Sequence, residues 1–301
     1  RFWEQTGSFY ASGRPNDNLA DPFNALAVMP ANTGVYRDMT NIRFTHPVWV
    51  PENCTACSEC FTVCPDSAIP GLAGDISAVF EATIKRVRRS GHEPKHLPRA
   101  VRTVEKKIHA QATEWEHNSI AVAPLLETAI EETIAESNGD TEALQEEFGW
   151  FREAMGDFKF ALTKPYYAQR EKSQPGSGGL FSITVNPYTC KGCMLCIDAC
   201  DDDALRVTEQ TADSIDTLRK DWDYWMDLPT TPKDFIRIDD LDEKIGALET
   251  MLMDKSVYQS MACGDGACTG CGEKSILHIF TSTITALMQP RVKKHVEKLD
   301  R

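Results

Sequence analysis

Four cysteines within eleven residues occur twice in this chain. Residues 54–64 read CTACSECFTVC and residues 190–200 read CKGCMLCIDAC. Cys54, Cys57, Cys60 and Cys64 are thus echoed by Cys190, Cys193, Cys196 and Cys200, both sets spaced C-x2-C-x2-C-x3-C. Three thiols at even x2 steps sit on one tight loop and converge on the corners of a cube. The fourth lies on the turn of helix that follows and faces away from that loop. A four-cysteine zinc site would instead use two CxxC pairs a longer loop apart. The spacing therefore points to iron–sulfur ligation, with a zinc-stabilised interaction module as the disfavoured alternative. Three further cysteines, Cys263, Cys268 and Cys271, bring the total to eleven. An odd number gathered in tight groups does not read as a disulfide framework.

The flanks of both groups read as strands. FSITVNPYT before Cys190 alternates Phe181, Ile183 and Val185 as a half-buried strand does. ALRV after Cys200 supplies a return strand, and HPVWVPEN and SAIPG take the same places around the first group. This arrangement resembles the two-cluster bacterial ferredoxins. The resemblance implies an α+β fold with a ferredoxin-like two-[4Fe–4S] core. It also implies crossed ligation, the fourth cysteine of each group serving the other cluster. Cluster one would take Cys54, Cys57, Cys60 and Cys200. Cluster two would take Cys190, Cys193, Cys196 and Cys64. One departure stands out. Pro65 follows Cys64, whereas Asp201, Asp202 and Asp203 follow Cys200. A proline there shapes the turn and keeps water off the cluster. Three carboxylates either disfavour an added electron on cluster one by like-charge repulsion or form a solvated loop.

The 125 residues between Cys64 and Cys190 read mostly as helix. DISAVFEATIKRVRRSG carries Ile76, Val79, Phe80, Ile84 and Val87 on one face, with Asp75 as N-cap and Gly91 as stop. Its other face, Lys85, Arg86, Arg88 and Arg89, reads as a solvated basic stripe. A second helix is expected from Pro98 to Glu116, with Val101, Val104, Ile108 and Trp115 inward. A third opens at Pro124 and ends at residues 137–139. A fourth starts at Thr141 and buries Leu144, Phe148 and Phe151. SQPGSGG, residues 173–179, reads as a flexible return. His92 and His96 read as loop histidines rather than a metal pair. Trp222 and Trp225 read as core rather than an electron bridge. Residues 1–45 show little periodicity and read as an extended arm. The expected organisation is an arm at 1–45, the two-cluster domain at 46–70 and 178–210, a helical insertion at 71–177, a helical connector at 211–262, and a helical C-terminal segment at 263–301. A net charge of −13 disfavours nucleic acid and anionic membranes as partners. No apolar run is long enough to span a bilayer, and no signal peptide is visible at the start. A chain opening on Arg1 is expected to be a processed or partial one.

Near the end, residues 263–273 read CGDGACTGCGE and open a helix expected over 274–288. Gly264-Asp265-Gly266 imitates the start of a thiamine diphosphate motif. That motif closes on an asparagine, and none occurs after Asn186. The order of segments is more informative. DPFNALAVMP, RDMTNIRFTHPVWVPENCTACSECFTVCP and ACTGCGE together resemble the joining region of pyruvate (2-oxoacid):ferredoxin oxidoreductases. The resemblance implies that Cys268 and Cys271 are half of a third [4Fe–4S] site at the start of a thiamine-diphosphate domain, its other ligands lying outside this segment. It further implies thiamine diphosphate, Mg and coenzyme A in the parent enzyme, ferredoxin or flavodoxin as electron acceptor, other domains or chains of a homodimeric parent as partners, and a cytoplasmic setting. Cys263 does not match the family's spacing and reads as a bystander. The segment would relay electrons and would not be catalytic alone. A stand-alone two-cluster electron carrier is the alternative.

Overall fold

The two cysteine groups lie in two strand–loop–turn–strand units that exchange strands. In the computed structural model, residues 4, 7–14, 17, 38–112, 119–137, 139, 141–236, 249–261 and 272–300 are described. Strand β1 (Thr45–Trp49) leads into the first cysteine loop and β2 (Gly71–Asp75) leaves it. Strand β5 (Gly179–Ile183) leads into the second loop and β6 (Leu205–Glu209) leaves it. The partners are crossed. β1 pairs antiparallel with β6, from Thr45↔Glu209 to Trp49↔Leu205, and β2 pairs antiparallel with β5, from Gly71↔Ile183 to Asp75↔Gly179. Each unit therefore holds the other by backbone hydrogen bonds on both sides of its loop.

The intervening segment is not only helical. It contributes β3 (Ser119–Ala121) and β4 (Ala161–Thr163), which extend the second sheet to the order β2-β5-β4-β3. Strands of three residues are too short to show a two-residue period, which is why the sequence hides them. This four-stranded sheet separates two apolar cores. Leu72, Leu162 and Leu180 face the helical layer. Ala73, Ala161, Phe181 and Ile183 face the cysteine loops. β5 is consequently buried along its whole length rather than half-buried. The alternation of Phe181 and Ile183 with Ser182 thus marks the face toward the cysteine loops, and the other face meets protein in place of water.

Helices α1 (Ser8–Ala11) and α2 (Glu59–Thr62) are single turns, the first replacing part of the expected extended arm. The helical layer consists of α3 (Ile76–Arg89), α4 (Leu97–Gln111), α5 (Val122–Ala135) and α6 (Thr141–Met155). The apolar faces read from the sequence are buried: Val79, Phe80 and Val87 on α3, Val104 and Ile108 on α4, and Phe148 and Phe151 on α6. α4 ends at Gln111, before the expected Glu116, and Trp115 lies outside the described residues. α5 begins at Val122, two residues ahead of Pro124. Asp75 occupies the cap position of α3 but makes no side-chain capping bond, because it is also the last residue of β2.

Two short helices follow, α7 (Gln169–Ser173) and α8 (Leu195–Asp198). α9 (Ala212–Asp227) starts on a capping box between Thr211 and Ser214. It buries Trp222 and Trp225, stacked with centroids 4.7 Å apart. Asp227 on α9 pairs with Arg86 at 2.6 Å and Arg89 at 2.5 Å. Half of the basic stripe is thus a tie between helices, not a solvated face. α10 (Lys255–Met261) and α11 (Gly272–Leu299) complete the described chain, α11 running through Pro290. Among the described residues no helix is long and apolar enough to cross a membrane.

Candidate metal centres

The cysteine loops have the same backbone trace. Ala56 and Gly192 each precede the second cysteine of their group and have φ of +63° and +69°. Ser58 and Met194 each follow it and have φ of +75° and +63°. Ser67 and Asp203, three residues beyond the fourth cysteine, have φ of +48° and +51°. Left-handed backbone at non-glycine residues costs energy and persists where surroundings enforce it. Its recurrence at matching positions shows that both loops are wound to aim the same three thiols inward. Gly192 has a further reason to be glycine: a Cβ there would lie 2.5 Å from the Thr45 carbonyl oxygen.

These windings create two hollows. The first is lined by Cys54, Cys57, Cys60 and Cys200, with Trp49, Ser58, Phe181, Ile183 and Asp202 among its walls. The second is lined by Cys64, Cys190, Cys193 and Cys196, with Pro47, Asp66, Val185 and Lys191. Their void volumes, open mouths included, are nearly equal at about 360 and 370 Å³. Each hollow takes three cysteines from one group and the fourth from the other. Cys60 and Cys196, one from each hollow, are close enough to repel electrostatically. Among the described residues no three His, Cys, Asp or Glu side chains converge tightly enough for one metal ion. The sulfurs ring a void instead of a point, which suits a polynuclear group better than a single zinc.

The eight cysteines are free thiols in the fold. Burial pushes Cys54 and Cys64 up to about 12, although Trp49 eases ionisation of the first and the Ala68 and Asp66 backbones that of the second. Cys60 and Cys196 are also pushed up, by burial and then by neighbouring cysteines. Such thiols need a cation to displace their protons. Donors at the sulfurs point the same way. Trp49 Nε1 is buried at the first hollow and makes no other hydrogen bond, and Ala68 N–H donates to Cys64 Sγ at 3.2 Å. Donors aimed at sulfur are the kind that stabilise an iron–sulfur group. The residues present therefore fit one in each hollow.

Several residues at or behind the walls carry no local sequence signal. Lys191 and Asp66 form an ion pair at 2.7 Å, with side chains 1% and 8% exposed. Arg43 is buried and donates to the Cys190 carbonyl at 2.9 Å. Lys191 was visible only as a residue inside the second cysteine group. Asp202 lines the first hollow and accepts from Thr55 Oγ1 at 2.8 Å, while Asp201 and Asp203 are exposed. Asp201 and Asp203 are thus in solvent, and only Asp202 stands at the hollow. His92 stacks on Trp150 at 4.4 Å, and His96 precedes α4. Cys263, Cys268 and Cys271 lie outside the described residues.

Comparison with known proteins agrees with this chemistry. A 4Fe–4S binding domain model matches residues 46–69. The chain is similar to a pyruvate dehydrogenase [NADP(+)] of Cryptosporidium parvum, 29% identical over 126 residues, and to a mitochondrial one of Euglena gracilis, 27% identical over 128 residues. Each match covers 42% of this chain and 6% of the relative. A putative pyruvate-flavodoxin oxidoreductase of Synechocystis sp. is 22% identical over 250 residues, 80% of this chain and 13% of the relative. The chain therefore spans a small fraction of the length of these relatives.

Proposed function

We propose that this chain is the electron-relay portion of a pyruvate-type 2-oxoacid:ferredoxin or flavodoxin oxidoreductase. The observation that carries the proposal is the three-plus-one grouping of cysteines in two adjacent hollows of like size. Each hollow would hold one [4Fe–4S] cluster, giving the ferredoxin-like core at residues 46–70 and 178–210. When bound, such clusters accept and pass single electrons. The chain's own residues do the rest. Trp49, Phe181 and Ile183 wall the first hollow with apolar surface, and Pro47, Ile69 and Val185 do so for the second. That surface keeps water from the sulfurs and lowers the local dielectric. The crossed strands tie the two cysteine loops together, and Cys60 and Cys196 are near enough to interact electrostatically. The oxoacid chemistry, with thiamine diphosphate, Mg and coenzyme A, belongs to other parts of the parent enzyme. A third cluster at Cys268 and Cys271, a homodimeric parent and a cytoplasmic setting extend the same reading.

Iron and acid-labile sulfide on anaerobically purified chain, with EPR after dithionite, test the proposal. About eight irons per chain and a spin-coupled reduced signal are expected for two clusters. Zinc without iron would sink it. In the assembled enzyme, Cys57→Ala should stop electron delivery to ferredoxin while sparing decarboxylation. Undiminished ferredoxin reduction would remove these cysteines from the relay.

A further inference from the structure

The surroundings of the two hollows differ in charge, the second through a residue behind its lining. Arg43 is 3% exposed. Its Nε donates to Gln210 Oε1 at 2.5 Å, and its Nη1 donates to the carbonyls of Pro187 and Cys190. Nη2 is buried and finds no acceptor. A guanidinium does not shed its proton, so a full positive charge is held against the Cys190 segment. Asp38, the carboxylate that acts on Arg43, is itself joined to Arg219 at 3.3 Å. Lys191 and Asp66, on the wall of the same hollow, are ion-paired; Asp66 still repels a charge on Cys64 and Cys190, and Arg43 opposes it at Cys190. The first hollow has the opposite bias. Its lining contains the Asp202 carboxylate and no lysine or arginine. Glu59 adds repulsion at Cys57.

We infer that Arg43 makes the site of Cys64, Cys190, Cys193 and Cys196 the resting place of an electron shared by the two sites, while Asp202 keeps the site of Cys54, Cys57, Cys60 and Cys200 the readier donor. The inference rests on the cluster reading proposed above. The exchange is balanced: one site is oxidised by one electron as the other is reduced by one, and no bond or proton moves. Charge decides its direction, because an added electron makes a thiolate-bound cluster more negative. A buried cation, weakly screened away from water, favours that state, and a nearby carboxylate opposes it.

Stepwise reduction of the iron-loaded chain, followed by EPR, reads the two midpoints. Arg43→Met should lower the upper midpoint and leave the lower one in place. The expected change is at least tenfold in the reduced-to-oxidised ratio at a fixed potential, about 59 mV for a one-electron couple. Arg43→Lys, which keeps the charge, should restore most of it. Asp202→Asn should raise only the lower midpoint, and it gives an independent reading if Arg43→Met fails to load iron. An upper midpoint indifferent to Arg43→Met, or one moved by Asp202→Asn, overturns the inference. A chain that binds no iron overturns the cluster reading instead, so the two failures are distinguishable.

Discussion

At the scale of single residues, the cysteines were legible and their neighbours were not. A thiol announces its role by spacing, because three thiols joined by two x2 steps on a tight loop leave few other uses. Arg43 reaches Cys190, and Lys191 reaches Asp66, across long stretches of sequence, and nothing local marks these partnerships. Asp221 is a further residue of this kind. Burial, with a smaller push from Asp157 and a pull from Lys159, raises its carboxyl from 3.8 to about 6. The folded chain then holds a proton that the unfolded chain has released. Its contribution to stability therefore falls as pH rises from 3.8 through about 6, and the full cost stands above that window. Asp221→Asn should stabilise the iron-loaded chain, and by roughly 1 kcal/mol more at pH 8 than at pH 5. Denaturant midpoints at the two pH values check this; an equal gain at both would mean that ionisation of Asp221 is not the cause. Gly192→Ala is a sharper insult. It places a methyl group 2.5 Å from the Thr45 carbonyl at a φ of +69°. A loss of roughly 1–3 kcal/mol, with slower iron uptake, is expected in melting and reconstitution assays.

At the scale of elements, amphipathic helices were readable because each carries enough residues to display a stripe. α3, α4 and α6 bury the faces that their spacing predicts. What the stripe could not show is how one helix finishes another. Glu147 of α6 is only 4% exposed, and its carboxylate accepts three backbone N–H groups, from Lys95 at 2.8 Å, His96 at 2.9 Å and Leu97 at 2.7 Å. These are donors at the start of α4 that have no partner inside their own helix. A residue about 50 positions away therefore does the work of an N-cap, with a charge that also suits the positive end of the helix dipole. On sequence alone Glu147 reads as one more acidic residue of a surface helix. Glu147→Ala should cost roughly 2–4 kcal/mol, since it strips buried donors of a charged acceptor. Glu147→Gln should cost less, because one carbonyl oxygen remains. Thermal melting of the two variants orders them, and equal losses would mean that the packing of the side chain matters more than its bonds.

At the scale of the whole molecule, the sheet β2-β5-β4-β3 gives the chain two cores with different supports. On its helical side, Phe80, Phe148, Phe151 and their neighbours form a continuous apolar core that needs no metal. On its other side, Cys54, Cys64, Cys190 and Cys196 are themselves part of the core around Phe181 and Ile183. There the loops are held in left-handed backbone at Ala56, Ser58 and Met194. Strain of that kind persists where its surroundings enforce it, and a group binding the thiols together would supply part of that support. Because each hollow draws one cysteine from the far group, a cluster in it would close a loop of well over a hundred residues, where cross-linking restrains the unfolded chain most. The metal-dependent half should accordingly melt first when iron is removed. Chelation under reducing conditions is expected to abolish near-ultraviolet signal from Trp49 and its surroundings. Most helical far-ultraviolet signal should remain, and its melting transition should survive at a lower temperature because β5 is shared between the cores. Simultaneous collapse of both signals would show that the sheet transmits the loss across its full thickness. An unchanged melt after complete iron removal would show that the cysteine loops hold their shape without a bound group.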